Sequence, residues 1–175
     1  MEQAVTERWP GEVHAVLRAH GVRQIAYVPD AGHRELILRC GRDPDMIAVP
    51  LTSEEEGVAL LAGAWLGGER GVLLMQSSGV GNCINAFALV KTCRFPLLTI
   101  VTMRGEWGEF NPWQVPMGQA TPRVLRETDT LLFEAAQPEE IGETVNAAAR
   151  MAFNGPAIAA ALISQRVLGA KTFGR

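Results

Sequence analysis

The chain has 175 residues, which is enough for one domain with a continuous hydrophobic core and too few for two ordinary domains. Its 47% hydrophobic and 20% charged residues are typical of a globular α/β protein and argue against disorder. The formal net charge of −3 argues against nucleic-acid binding, and no apolar run reaches membrane-spanning length. We therefore expect one domain over residues 1–175, with its ordered core at about 11–163.

The three cysteines and the N-terminal segment indicate the compartment. The chain has three cysteines, Cys40, Cys83 and Cys93, and no two of them form a CxxC pair. An odd number of cysteines cannot form a complete disulfide framework, so reduced thiols are expected. The first twenty residues are amphipathic and carry acidic side chains, without the apolar stretch of a secretion signal. The prediction is a cytoplasmic protein with no membrane partner.

Helix-like and strand-like segments alternate along the whole chain. In chain order, we predict a helix at 11–20, a strand at 24–28, a helix at 33–40, a strand at 47–50, a helix at 53–66, a strand at 71–75, a helix at 82–94, strands at 97–102 and 131–134 flanking a short helix near 121–127, a helix at 138–153 and a strand at 157–163. The strands are apolar throughout and are separated by helices. This pattern predicts a doubly wound, largely parallel six-stranded sheet with helices on both faces.

Three glutamates open the helix predicted at 53–66. Ser53 and Glu56 fit a capping box, and negative charge at a helix start is favourable in itself, so a structural role is one interpretation. Residues 57–67 contain no polar face, which predicts a helix buried on every side. A partly buried carboxylate at the start of such a helix is also a candidate for proton transfer.

Two further segments are candidates for ligand binding. Residues 76–81 are mostly small and are predicted as a tight strand-to-helix connection, where a ligand can approach the backbone; close packing is an equally good explanation. Residues 103–120 are predicted as a long irregular loop of the kind that usually carries function. Its aromatic side chains, Trp107, Phe110 and Trp113, are expected to pack against another surface, and we favour that of a partner.

Four segments together resemble the pyrimidine-binding domain of thiamine-diphosphate-dependent enzymes. The likeness is greatest to the alpha subunit of sulfopyruvate decarboxylase and to the matching half of phosphonopyruvate decarboxylase, and it extends from about residue 11 to about 163. The segments are Val28-Pro29-Asp30 with Gly32-His33, Glu54-Glu55-Glu56-Gly57 with Ala62-Gly63-Ala64-Trp65, the run from Leu74 to Asn82, and Arg104-Gly105-Glu106 with Gln114.

The resemblance implies roles for individual residues. Aligned on Ala62 and Trp65, the family's cofactor-activating glutamate falls on Glu55, where it would share a proton with the pyrimidine ring. The resemblance also implies cofactor binding by Ser78, Gly79, Val80, Gly81 and Asn82. It implies substrate binding by Asp30, Gly32, His33, Arg104 and Gln114.

Two of these roles stay open at the level of sequence. His33 is a candidate for substrate contact or proton transfer, and a structural role is the alternative. Arg104 could receive an anionic substrate tail or pair with Glu106 or Glu109.

The same resemblance implies thiamine diphosphate as cofactor and Mg²⁺ as its metal. The family holds the magnesium ion and the diphosphate with a Gly-Asp-Gly stretch, and none occurs in these 175 residues. We therefore assign no metal ligand to this chain. We expect a diphosphate-binding beta subunit of similar length, in an α2β2 assembly that is active only when both chains are present.

The expected activity is decarboxylation of sulfopyruvate, phosphonopyruvate or a similar three-carbon 2-oxo acid. Two alternatives share the fold. One is a carboligase subunit of the acetolactate-synthase type, and the other is a catalytically silent structural or regulatory subunit.

Overall fold

The computed structural model describes residues 8–169 and confirms the α/β fold. The strands are β1 (Val22–Tyr27), β2 (Ile47–Pro50), β3 (Arg70–Gln76), β4 (Leu97–Thr102), β5 (Leu131–Ala135) and β6 (Ile158–Ile163). They form one sheet in the order β2-β1-β3-β4-β6-β5, and every neighbouring pair is parallel.

Helices cover both faces of this sheet. They are α1 (Trp9–Ala19), α2 (Arg34–Arg42), α3 (Glu54–Leu66), α4 (Ser77–Cys83), α5 (Phe87–Cys93), α6 (Val115–Glu127), α7 (Ile141–Asn154) and α8 (Gln165–Leu168), with 3-10 turns at Pro112–Gln114 and Pro138–Glu140. Helices α1, α2 and α7 pack on one face, and α3 to α6 pack on the other. Within residues 8–169, no helix is both long and apolar enough to cross a bilayer.

Two neighbouring interior strands, β4 and β6, explain why the sheet holds together. Every residue of β4 and β6 is buried, because helices cover both sides of the strands. The one polar side chain in the middle of β4, Thr99, is satisfied by donating a hydrogen bond to the Leu73 carbonyl at 3.0 Å.

The register aligns the carboxyl ends of the strands. Tyr27 pairs with Leu74, and Gln76 pairs with Thr102, so the segments that follow β1, β3 and β4 leave the sheet at one edge. The chain turns to opposite faces after β1 and after β3, since α2 and α4 lie on different sides. Such a switch point opens a crevice at the strand ends, where ligands of this fold class bind.

The prediction of a tight connection at 76–81 followed by a helix at 82–94 was wrong in detail. Helix α4 begins directly after β3 at Ser77, and the predicted helix is divided into α4 and α5. Gly79 and Gly81 had suggested a turn. Gly79 instead makes room inside the helix, because a Cβ at that position would collide with Oε1 of Glu54 as it is placed here.

The loop after β4 is shorter than predicted. Helix α6 begins at Val115 rather than near 121, with Pro116 in its first turn, where the missing N–H costs nothing. A Cβ on Gly118 would lie 1.9 Å from the Arg104 carbonyl oxygen, so the glycine that suggested a loop allows α6 to contact the loop backbone.

Helix α3 begins at Glu54, as predicted, but its surroundings differ from the prediction. The Ser53 side chain makes no capping bond, and Oε2 of Glu56 instead accepts a hydrogen bond from the Thr52 amide at 2.9 Å. The helix is also not buried on every side. Trp65 is exposed, and Leu66 is 88% exposed. Its apolar sequence therefore leaves an apolar face uncovered by residues 8–169.

Candidate functional site

The start of α3 and helix α4 lie side by side at the carboxyl edge of the sheet. Asn82 of α4 donates a hydrogen bond from Nδ2 to Oε2 of Glu54 at 2.8 Å. Glu54 is only 6% exposed, whereas Glu55 is exposed. The fold thus brings the predicted catalytic glutamate close to the segment predicted to bind the cofactor.

The five α4 residues predicted to bind the cofactor differ in accessibility. Gly81 and Asn82 are exposed, Ser78 is half-buried, and Gly79 and Val80 are buried. The Val80 side chain belongs to the hydrophobic core, so only its main chain is available to a ligand.

A cavity of about 850 Å³ lies at the same edge and is lined by three of the predicted substrate residues, Asp30, Gly32 and Arg104. Oδ2 of Asp30 accepts hydrogen bonds from Thr102 Oγ1 at 2.8 Å and from the Gly32 amide at 3.0 Å. Arg34 also lines the cavity. The fold therefore places the turn after β1 and the start of the loop after β4 around one cavity.

His33 lies inside the protein and does not line this cavity. Its ring is fully buried, and neither nitrogen has a hydrogen-bond partner within residues 8–169. Nδ1 lies 3.8 Å from Oδ2 of Asp30. Burial lowers the pKa of His33 to about 4, against the opposing attraction of the Asp30 carboxylate.

This burial predicts an acid-dependent loss of stability. Because the folded pKa lies below the unfolded value of about 6.5, the unfolded state takes up a proton first, so stability falls from pH 6.5 and the fall ends near pH 4. The total loss is expected to approach about 3 kcal/mol. Urea unfolding between pH 7 and 4.5 should show this slope in the wild type and a flatter one in His33→Leu. Equal slopes in the two proteins would contradict the assignment.

Arg104 pairs with Glu109, not with Glu106. Nε and Nη2 donate to the two Glu109 oxygens at 2.7 and 2.6 Å, and the Gly105 and Asn111 amides donate to the same carboxylate. These bonds, with that of Arg104 first, lower the pKa of Glu109 to about 2. The guanidinium that borders the cavity is thus already held by a carboxylate.

Gln165 in α8 anchors this loop through side-chain hydrogen bonds. Its Oε1 accepts hydrogen bonds from the amides of Glu106 and Trp107 at 2.9 and 3.0 Å, and its Nε2 donates to Oε2 of Glu109 at 2.9 Å. The side chain is almost completely buried. The loop at 103–111 is therefore an ordered part of the site.

The aromatic residues of this loop remain largely on the surface of residues 8–169. Trp107 and Phe110 are exposed, and Trp113 is 84% exposed. The Arg166 guanidinium lies 3.8 Å from the Trp107 ring centroid, which gives that ring one cation–π contact. Gln114 is half-buried, and its Oε1 has no partner within the described residues.

Three residues of the site were not singled out from sequence. Ser77 accepts a hydrogen bond from the Arg104 amide at 3.0 Å through its Oγ and so ties α4 to the loop. Glu54 and Gln165 are the other two. A run of three glutamates gives no local signal for which one is buried, and Gln165 acts on residues about sixty positions away.

Metal donors are not gathered in the described part of the chain. Among residues 8–169, no group of three or more His, Cys, Asp or Glu side chains is placed to hold a metal ion. The cysteines are free thiols, with Cys40 and Cys83 buried and Cys93 exposed.

Known proteins resemble this chain in sequence and in fold. The family described as "Thiamine pyrophosphate enzyme, N-terminal TPP binding domain" matches residues 12–113. Sulfopyruvate decarboxylase subunit alpha of Methanococcus maripaludis is 36% identical over 143 residues, which cover 81% of this chain and 86% of that protein. Phosphonopyruvate decarboxylase of Streptomyces viridochromogenes is 39% identical over 113 residues, which cover 63% of this chain and 28% of that protein.

A solved structure shares the fold at much lower identity. It is the 2-oxoglutarate:ferredoxin oxidoreductase of Magnetococcus marinus, with a TM-score of 0.72, 13% identity, and coverage of 91% of this chain and 29% of that one. The sequence matches confirm the resemblance inferred from the four segments, and the structural match confirms the fold.

Proposed function

Because this chain belongs to the thiamine pyrophosphate enzymes and is a subunit of a decarboxylase of that family, we propose that it is the pyrimidine-binding alpha subunit of a two-chain enzyme. It forms the N-terminal TPP-binding domain of the family. It is active only with a diphosphate-binding beta subunit of similar length in an α2β2 complex. Its substrate is sulfopyruvate, phosphonopyruvate or a similar three-carbon 2-oxo acid.

The observation that carries this proposal is the exposure of Glu55 at the start of a helix with an uncovered apolar face. Trp65 and Leu66 at the end of α3 and Leu89 of α5 are exposed apolar side chains on the same side of the sheet. Such a surface is costly in water and is typical of a protein–protein contact. Glu55 lies about 16 Å along α3 from Leu66, and the exposed residues Ala59 and Gly63 lie between them on the same face of the helix. A partner that covers this whole face would remove water from around Glu55, and desolvation is what favours proton sharing by a carboxyl group.

The residues present fit the pyrimidine half of the cofactor. Thiamine diphosphate supplies the electron sink that the loss of carbon dioxide from a 2-oxo acid requires. Glu55 would hold the pyrimidine ring and share a proton with its nitrogen, and the exposed main chain of Gly81 and Asn82 would lie beside it. We assign the magnesium ion and the diphosphate to the partner, because the family's Gly-Asp-Gly stretch is missing from this sequence.

The cavity at the strand ends suits a small anionic substrate. Arg104 uses two of its five N–H groups on Glu109, which leaves three donors, and Arg34 adds a second guanidinium to the lining. Arginine recognises carboxylate, sulfonate and phosphonate groups through such donors. Asp30, held by Thr102, would orient the polar groups of the substrate.

The test is reconstitution with the candidate beta chain. With thiamine diphosphate and Mg²⁺, the mixture is expected to release carbon dioxide and an aldehyde from sulfopyruvate or phosphonopyruvate, while each chain alone does so at least about 100-fold more slowly. The same mixture is also supplied with pyruvate. Acetolactate or acetoin as the main product would favour the carboligase alternative. Full activity of the beta chain alone would favour a silent subunit.

A further inference from the structure

We propose that Glu54 is a positioning residue of the cofactor site, which holds Asn82 and helix α4 in place beside Glu55. This inference rests on the proposed function, because it concerns the same site. The three glutamates that open α3 do not share one environment: Glu54 is buried, while Glu55 and Glu56 are exposed. Consecutive residues of a helix point about 100° apart, so only one of the three can face α4 directly.

The contact between Glu54 and α4 is close on two sides. Oε2 accepts the hydrogen bond from Nδ2 of Asn82 at 2.8 Å. A Cβ on residue 79 would collide with Oε1, so the carboxylate can occupy this position because that residue is glycine. The carboxylate therefore joins the beginning of α3 to α4 through one hydrogen bond and one shape-specific contact.

The chemistry of this contact decides how the Asn82 side chain is oriented. An ionised carboxylate only accepts hydrogen bonds, so the amide must turn its NH₂ group towards Glu54. The carboxamide oxygen of Asn82 then faces away from Glu54. Because Asn82 is exposed, this oxygen is presented as a fixed acceptor at the surface where the cofactor is proposed to bind.

Glu54 is an unusual residue to bury for structure alone. Its hydrogen-bond partner is an amide, and within residues 8–169 no lysine, arginine or histidine forms an ion pair with it. A buried carboxylate without a cation is costly, and an apolar residue would stabilise a purely structural helix contact better. The free N–H groups at the start of α3 offset part of that cost.

Cys83 shows that both glutamates act on the same part of α4. Burial is the main cause that raises the pKa of its thiol to about 12, and the negative charges of Glu54 and Glu55 raise it further. Both carboxylates therefore lie close enough to the residue next to Asn82 to act on it electrostatically. Glu54 binds the helix that Glu55 lies beside.

The test uses the complex with the beta chain and measures the Kd for thiamine diphosphate separately from kcat. Glu54→Leu and Asn82→Ala are each expected to raise this Kd about tenfold, as expected for a lost hydrogen bond to a charged group. The Kd of the double variant should be no higher than that of either single variant, because the two substitutions remove the same interaction. Glu54→Gln should stay within about threefold of the wild type, since its amide oxygen can still accept from Asn82.

Glu56→Gln is the matched control, because it removes an exposed carboxylate two positions along the same helix and should leave the Kd unchanged. Additive effects of Glu54→Leu and Asn82→Ala, or a wild-type Kd in both, would overturn the proposal. If Glu54→Leu does not fold, a raised Kd in Asn82→Ala with a near-normal Glu54→Gln still supports it, and a normal Kd in Asn82→Ala overturns it. Full activity of Glu55→Gln would instead refute the proposed function itself.

Discussion

Replacing Glu55 with glutamine is expected to lower the decarboxylase activity of the complex at least about 100-fold, which is the usual contribution of a positioned acid–base group. Glutamine keeps the size of the side chain and can still form a hydrogen bond. It cannot take up or share a proton, so the loss should appear in kcat rather than in the Kd for the cofactor. Steady-state rates and cofactor binding are measured on the same preparation.

Glu56→Gln again supplies the control for charge and position. Glu56 is exposed and bonds to the Thr52 amide, so its substitution should leave the rate within about twofold of the wild type. The unfolding midpoint of each variant is compared with that of the wild type, to exclude a loss of folded protein. A Glu55→Gln complex with more than about half of the normal rate would point to the silent-subunit alternative.

The second large effect concerns Glu109. Glu109→Gln is expected to lower the free energy of unfolding by about 3 kcal/mol, because it leaves the largely buried Arg104 guanidinium without its carboxylate. One oxygen of the amide can replace one carboxylate oxygen. The NH₂ group then meets a donor of Arg104 or a backbone amide, so at least one buried donor loses its partner.

A surface ion pair provides the matched control. Arg126 and Glu134 have the same charges at 3.0 Å, but both side chains are more than half exposed. Glu134→Gln should therefore cost less than about 1 kcal/mol. Urea unfolding of the isolated chain at pH 7 measures both values, and equal values for the two variants would contradict the role of Glu109.

The pH dependence gives a second readout for Glu109. Its folded pKa, about 2, lies below the ordinary value of 4.5, so its contribution to stability is complete above pH 4.5 and is lost as the pH falls towards 2. In the wild type this loss begins near pH 4.5, where the fall caused by His33 is almost complete, and it continues to lower pH. The Glu109→Gln variant should lose the lower part of the acid transition and keep the upper part.

The order and type of most elements could be predicted from the sequence, for a local reason. Strands β3, β4 and β6 are predominantly apolar, without the alternation of polar and apolar residues that a half-exposed strand shows, and such a sequence indicates a strand covered on both sides by helices. The helix at Glu54 was also correctly placed, because three acidic residues before an apolar stretch indicate a helix start. The resemblance in four ordered segments then identified the family.

Two glycines account for the misplaced starts of helices α4 and α6. Gly79 and Gly118 look like turn residues when only their neighbours along the chain are considered. Each lies inside a helix, where the missing side chain leaves room for Glu54 or for the Arg104 carbonyl. Contacts between segments that are far apart in sequence decide this, so no local pattern could reveal it.

What the sequence determined by itself is the parallel α/β fold, the family and the segments from which the site is built, because periodicity and motif order are properties of the chain. Only the tertiary structure decided the surroundings of each carboxylate. It buries Glu54 against α4, leaves Glu55 exposed, and pairs Arg104 with Glu109 through the distant Gln165. Neighbouring glutamates are chemically identical, and only the packing around each one gives it a distinct environment.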